Sequence, residues 1–399
     1  MKNLNIIYEH TTSIVNFIKN QIEYICTKLP TRSPGTKGEE ETAFYLERYL
    51  KEECDIKDTS IEHYDFHPSS FYAWMYLTTP LNILAIILSS ISPIISLILL
   101  LIVLVIAYYE FYRYKQFVDP LFKLRTGTNL TAIKKCNNPK KRIFFTGHMD
   151  AAWEFRYNYH FGIKGVLLAM LIPVIGIFYY FIVNILLIAN PDLIILSYIG
   201  LIFLPFTIGL LFFWDPSRIV PGANDNLTGC LISVSILKAL KDNNIDLENT
   251  EVGIILTGSE EAGLRGAKAW SEKHQNDYND IPTYIVVIDT INDPKEMSIL
   301  MKDLNGTVKA DPELGEKIIN ASKELNIFCE KRKLGFPGGS TDASAFIQKG
   351  FKAIGLVGMT FKVKRFYHTR LDTHDNLNDE AIDNCFKICM KLIEDIENS

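Results

Sequence analysis

Five short motifs lie scattered between Gly147 and Thr369: Gly147-His148-Met149-Asp150, Gly222-Ala223-Asn224-Asp225, Ser259-Glu260-Glu261-Ala262-Gly263, Ile288-Asp289 and Tyr367-His368-Thr369. Together they hold two imidazoles, three candidate ligand carboxylates and one adjacent spare carboxylate. Zinc takes nitrogen and oxygen ligands, and a catalytic zinc keeps one position open for water. Two such ions about 3.5–4 Å apart share a bridging carboxylate and hydroxide. The inventory therefore suits a hydrolase built on a pair of zinc ions. Several of these acids directly follow apolar runs, where a carboxylate without a partner is costly to bury.

Each motif alone has a plainer reading. A Glu-Glu pair suits an exposed helix start, where acidic side chains meet the helix dipole. His148 and Asp150 suit a strand end at the surface. Asp225 suits a helix N-cap before the apolar helical pattern that opens at Leu227, and Asp289 suits the end of a strand. His374 competes with His368, and Asp372 and Asp375 read as supporting or surface residues. Gly338-Gly339-Ser340-Thr341-Asp342 reads either as the lining of a cleft or as a turn before a helix. The motifs gain force from their shared placement. Ile143–Thr146, Val252–Thr257 and Tyr284–Ile288 are short apolar runs of the kind buried in parallel or mixed sheets, and His148, Glu260 and Asp289 each follow one of them. In open α/β sheets, sites form beyond the carboxyl ends of strands.

Helical spacing covers about residues 11–27, 38–53, 227–240, 263–274, 313–325 and 379–397, and strands are expected near 129–134 and 353–357. Alternation of strands and helices implies a mixed, mostly parallel sheet with helices on both faces. Long apolar blocks interrupt that pattern. No Asp, Glu, Lys or Arg occurs from Phe66 through Tyr109, from Gly165 through Pro191, or from Leu193 through Trp214. A bilayer core takes about 20 apolar residues in helix. The first block is too long for one untilted span, and Ser89–Pro93 offers a break, giving spans near 72–90 and 93–109. One long tilted helix is the alternative. The other two runs are one span each, joined at Asn190-Pro191-Asp192. Four buried helices of a water-soluble protein would carry polar faces, and these do not.

The motifs also constrain topology. His148 precedes the second pair of spans and Asp225 follows it, so the chain must leave and re-enter on one side, which needs an even number of crossings. Arg113, Lys115, Lys123, Arg125, Arg156, Lys164 and Arg218 flank the blocks, whereas the turns at 89–93 and 190–192 carry no Lys or Arg. Positive flanks mark the cytoplasmic side. The expectation is an integral protein of the plasma membrane with its catalytic part in the cytoplasm. Seven scattered cysteines without a CxxC pair agree with a reducing compartment. A net charge of −5 and a single short basic cluster, 134–142, argue against nucleic acid as a partner.

As an ordered set, the five motifs resemble the M28 family of zinc peptidases, which includes aminopeptidases and glutamate carboxypeptidases. The likeness spans roughly residues 30–65 and 125–395 and leaves the apolar blocks unmatched. It implies an α/β zinc-exopeptidase fold interrupted by two transmembrane hairpins. The expected division is a peptidase domain at 1–70, 111–164 and 215–399, with hairpins at 71–110 and 165–214. The resemblance further implies two zinc ions. One would be held by His148 and Asp289 and the other by Glu261 and His368, with Asp225 bridging them. Asp150 would orient His148, and Glu260 would act as general base toward the metal-held water. Tyr367 would help bind the substrate carbonyl. The implied activity is removal of N-terminal residues from peptides. Carboxypeptidase or amidase action on the same fold is an alternative, with Lys362, Lys364 and Arg365 available for a substrate carboxylate if they are not simply solvated. A membrane receptor or scaffold on an inactive hydrolase domain is another, against which the complete ligand set argues. Cyclisation of N-terminal glutamine is disfavoured, because that reaction usually runs on one zinc and here the bridging ligands are present. Peptide substrate and lipid bilayer are the expected partners, and the oligomeric state is left open.

Overall fold

Short strands of branched and aromatic residues build a mixed sheet in the computed structural model, which describes residues 11–359 and 364–399. Its strands are β1 (Asp58–Phe66), β2 (Arg125–Lys134), β3 (Lys141–His148), β6 (Thr250–Thr257), β7 (Thr283–Ile291), β8 (Ser298–Asp303), β9 (Val308–Lys309), β10 (Glu330–Lys333) and β11 (Lys352–Gly358). Two more strands, β4 (Trp153–Phe155) and β5 (Trp214–Ile219), form a separate antiparallel pair. The main order is β1-β2-β6-β3-β7-β11-β8-β10, with β9 beside β8. The central strands β6, β3, β7 and β11 run parallel, and β1, β2 and β8 are antiparallel to their neighbours there.

Helices α1 (Thr11–Lys28), α2 (Lys37–Glu52), α7 (Thr228–Asp242), α9 (Pro312–Glu324) and α11 (Asp379–Asn398) bury apolar stripes in the larger core. In α1, Val15, Ile18, Ile22 and Ile25 recur at helical spacing and are buried. Helix α11 starts at Asn378, whose side chain accepts from Ala381 N, and carries Asp379 and Glu380 in its first turn. On the other face α8 (Arg265–His274) and α10 (Ala343–Gln348) cover Phe144, Ile255 and Ile285 around Trp270. All seven cysteines are free thiols; Cys385 and Cys389 are buried in the larger core.

The apolar blocks form helices that stand apart from this sheet. The first divides into α3 (Ser70–Leu88) and α4 (Pro93–Ala107), so the break falls at Ser89–Ser92 and the single-helix alternative is excluded. The second is α5 (Arg156–Ala189), bent at Gly162, where φ is +63°. The third, α6 (Pro191–Phe212), alternates between short α and 3-10 turns rather than running as one regular helix. Four helices here are long and apolar enough to cross a membrane.

Inside, a small polar cluster sits beside buried Ile86, Leu100, Val103 and Ile177, and the outer face is apolar. Ser89 Oγ donates to Asn184 Oδ1 at 2.8 Å, Asn184 Nδ2 donates to Ser96 Oγ at 2.8 Å, and Ser96 Oγ donates to Ala85 O at 2.7 Å, all buried. Ile94, Ile95, Ile98, Leu101 and Ile102 point outward. Interhelical hydrogen bonds of this kind join helices that have no hydrophobic drive to associate. The strand pair β4–β5 closes the base of the second hairpin, Phe155 opposite Trp214, and returns the chain to where it left.

Candidate metal centre

The parallel arrangement of β6, β3 and β7 puts three carboxyl ends side by side, with His148 in register with Thr257 across β3 and β6. Two glycines let α7 settle onto those ends. A Cβ on Gly229 would collide with Ile288 O, and one on Gly147 would lie 2.5 Å from Cys230 N. The turn before α7 thereby delivers Asp225 to His148.

His148 Nε2 lies 3.2 Å from Asp225 Oδ1, and His368 Nε2 lies 3.0 Å from Asp225 Oδ2 and 3.2 Å from Glu261 Oε1. Ligand atoms of His148, Asp225 and Asp289 fall within 4.8 Å of one another, as do those of Asp225, Glu261 and His368. The two triads share Asp225. Glu260 Oε2 stands off at 3.9 Å from His148 Nε2. All but Glu260 are buried. His374 does not join them: it is partly exposed and faces Asp375 at 3.5 Å.

These groups fit cations better than they fit one another. Asp225 Oδ2, Glu261 Oε1 and His368 Nδ1 are buried without a well-directed hydrogen bond. Among the described residues no Lys or Arg pairs with Asp225, Glu260, Glu261 or Asp289, whose only ionic neighbours are the two histidines. So much uncompensated charge inside a protein is held only when a cation neutralises it. The protonation tendencies are divided: the acids crowd one another, while the same acids hold the histidines protonated. Burial and then Asp225 push the Asp289 carboxyl up to about 7, and burial pushes Glu260 up as well. Burial pulls His368 down, but Glu261 and Asp225 outweigh it and hold the ring at about 10. The residues present thus form candidate metal-binding clusters.

A second ring of contacts aims them. His148 Nδ1 lies 3.4 Å from Asp150 Oδ1. His148 Nδ1 also lies 3.3 Å from the Asp150 backbone carbonyl, and the Asp150 carboxylate accepts from Glu260 N and Glu261 N, each at 3.0 Å, fixing the turn that bears both glutamates. That turn is entered and left by non-glycine residues in left-handed backbone, Ser259 (φ 56°) and Leu264 (φ 63°). Asp372, read from sequence as supporting or superficial, is fully buried and accepts from Asn224 N, Asn224 Nδ2 and Asp225 N. His368 is held by its own carbonyl, which accepts from Phe155 N of β4 at 2.7 Å. Two residues on, Arg370 grips the buried Glu154 of β4 through Nε and Nη2. Tyr367 stacks on the His368 ring at 4.0 Å between centroids.

The loop 338–342 reaches the centre. Ser340 and Thr341 are anchored on Asp303, and Asp342 accepts from Thr257 Oγ1 at 2.5 Å while its second oxygen has no partner. Arg32 and Glu39 were not singled out from sequence. Arg32 donates to Met149 O, Pro221 O and Gly222 O, tying two ligand loops together. Glu39 accepts from Ser259 Oγ at 2.7 Å and Thr128 N at 3.0 Å, and burial pushes it up to about 8. Of the three cations near His368, Lys364 is paired with Asp293 at 2.9 Å and Arg365 donates to Tyr159 O; Lys362 lies outside the described residues.

Solved structures share this architecture. LapB of Legionella pneumophila superposes with a TM-score of 0.60 at 13% identity, over 100% of this chain and 75% of that one. A zinc aminopeptidase of Bacillus subtilis gives 0.57 at 12%, over 96% and 95%. A glutaminyl cyclase of Bacteroides thetaiotaomicron gives 0.56 at 14%, over 96% and 97%. The fold is therefore that of these enzymes. In sequence, residues 212–393 match the model of Peptidase family M28, so the resemblance read from the motifs is supported over the part that holds Asp225, Glu260, Glu261, Asp289 and His368. The match begins after His148 and Asp150, which join the site through geometry. No curated protein matches the chain.

Proposed function

We propose that the protein is a membrane-embedded dinuclear zinc aminopeptidase. The observation that carries this is Asp225, whose two carboxylate oxygens face different histidines at 3.2 and 3.0 Å, as a bridging ligand must. His148 and Asp289 would complete one metal and Glu261 and His368 the other. Bound there, two zinc ions supply positive charge that acidifies an attacking water and polarises the scissile carbonyl. Glu260 Oε2, beside but outside the ligand set, accepts the proton of that water and returns it to the leaving amine. Asp150 keeps Glu260 in place through its backbone N–H. Tyr367, stacked on His368, borders the position of the carbonyl.

The four apolar helices support anchoring in a bilayer, since their outward faces are aliphatic and Ser89, Ser96 and Asn184 pair internally. The positive flanks support a cytoplasmic catalytic part, with the plasma membrane as its place. Both hairpin roots border the metal centre: Phe155 packs on the His368 ring at 4.5 Å, and Phe71 of α3 meets Gly263, two residues past Glu261. Short or apolar peptides close to the membrane surface are the substrates this arrangement favours.

The test is metal content and turnover on one preparation. Full chain in detergent is expected to bind two zinc ions, to cleave free-amino peptides and to spare N-blocked ones. Glu260→Ala is expected to keep its metal and lose on the order of 10²–10⁴ in kcat. Undiminished turnover in that variant removes Glu260 from the chemistry. Cleavage of N-blocked peptides indicates carboxypeptidase action, and cyclisation of N-terminal glutamine indicates the chemistry of the Bacteroides neighbour.

A further inference from the structure

We propose that residues 113–125, which lead out of the first hairpin, form a docking strap for an anionic phospholipid surface. The proposal rests on reading α3 and α4 as membrane-spanning, and it assigns the lipid chemistry that this reading leaves open.

The strap alternates between anchored and offered residues. Val118 and Asp119 are buried, whereas Phe117, Leu121 and Leu124 are 54%, 69% and 52% exposed. The anchors are specific. Asp119 receives two hydrogen bonds from Arg265, Oδ2 from Nη1 at 2.7 Å and Oδ1 from Nη2 at 2.8 Å, and a third from Ser70 Oγ at 2.6 Å. Val118 N donates to Glu110 Oε1 at 2.9 Å, and Phe122 O lies 2.7 Å from His67 Nδ1. A backbone pinned at these points holds its apolar side chains outward by construction.

Charge follows the same pattern. Arg113, Lys115, Lys123 and Arg125 flank the exposed apolar residues, and Asp119 is the segment's only acid, already committed to Arg265. Among the described residues, none of the four cations has a carboxylate within ion-pair distance, although lysines nearby in sequence do, such as Lys134 with Asp246 and Lys135 with Asp58. Lys123 and Arg125 also line an open cleft of about 390 Å³ with Lys37 and His63, where Glu40 is the one carboxylate. Aromatic rings extend the surface at the level of the helix ends. Tyr109 stacks on Phe117 at 5.2 Å, and Phe336, itself exposed, packs on Tyr112 at 5.7 Å. Clustered aromatic rings with unpaired cations beside exposed aliphatics match the interface of an acidic membrane, where rings sit among headgroups and each basic side chain adds to binding. A protein groove would need matching carboxylates for the same cations, and the continuity of the strap with α4 favours the bilayer.

The experiment uses the full chain in lipid nanodiscs, with phosphatidylcholine alone or with phosphatidylglycerol added. Amide exchange over 115–125 is expected to slow when phosphatidylglycerol is present and to recover at high salt. Because each basic side chain at an anionic surface contributes about fivefold, the double variant K123Q/R125Q is expected to lose about 25-fold in its preference for retaining phosphatidylglycerol over phosphatidylcholine, read by native mass spectrometry. Both substitutions lie on the surface, and metal content serves to check folding. Equal exchange in the two kinds of disc, or an unchanged preference in the variant, overturns the strap. A chain that stays soluble without detergent and never enters a disc overturns the membrane reading along with it.

Discussion

Asp372 touches none of the candidate ligand atoms, yet it sets the position of the one carboxylate shared by both triads. It takes the backbone N–H groups of Asn224 and Asp225 at 2.9 and 3.0 Å and the Asn224 amide at 2.8 Å. Removing it leaves two buried donors unsatisfied and frees the turn. Partners that orient metal ligands are commonly worth 10–100-fold in affinity, so Asp372→Ala is expected to weaken zinc by about that factor in chelator competition. Unchanged affinity would show that the turn holds itself. At this scale the sequence reading separated two kinds of residue. Of the candidate ligands, His148 and Asp289 were legible because they follow apolar runs, whereas Asp225, Glu261 and His368 were carried by the resemblance of their motifs. Arg32 and Glu39 were not legible, and Asp372 only as an open alternative. Their partners are carbonyls, backbone amides and a hydroxyl from distant segments, groups found along the whole chain, so no spacing betrays them.

Among the elements, the strands buried along their whole length were the legible ones, while the mostly buried β8, with Lys302 and Asp303 at its end, was not anticipated. Strands β3, β6 and β7 are buried along their lengths and read as apolar runs. Strand β1 was not anticipated, since it sits at the sheet edge with most of its residues partly or fully exposed and alternates no apolar face. The third apolar run, expected as one span, is one helix long enough to cross a membrane, but it alternates α and 3-10 turns, a feature that uniform hydrophobicity cannot encode. The exit of the first hairpin is joined to α8 by a buried ion pair, Arg265 with Asp119, and by Lys268 Nζ, which donates to Tyr114 O at 2.6 Å and Gly263 O at 2.8 Å, while Asn305 Nδ2 donates to Phe111 O at 3.0 Å. Arg265 Nε also donates to Ala262 O, next to Glu261. Breaking a buried pair on one side typically destabilises by about 3–5 kcal/mol, and replacing both partners with apolar residues much less. Arg265→Met is therefore expected to lower unfolding stability in detergent by about that amount, and R265M/D119L to recover much of it. Additive losses would mean that the two side chains act independently.

Across the whole molecule, two features agree that each hairpin returns to the face it left. The β4–β5 pair holds both ends of the second hairpin together, and Ser70 and Asp119 hold both ends of the first. The turns at Ile91 and Asn190 should then lie across the bilayer from the metal centre. Cysteines introduced as Ile91→Cys and Asn190→Cys are expected to react with an impermeant maleimide in intact cells, whereas the partly exposed native Cys136 and Cys329 react only after permeabilisation. The opposite pattern reverses the orientation.

The bond from Phe155 N to His368 O has a geometric consequence. It lies one residue before α5 begins, so in the proposed membrane enzyme the metal centre would stand at a set distance from the root of a spanning helix. A peptide tethered in the bilayer extends by about 3.3–3.6 Å per residue. On the proposed reading of a membrane peptidase, stubs shorter than that distance would escape, and only what protrudes far enough would be trimmed.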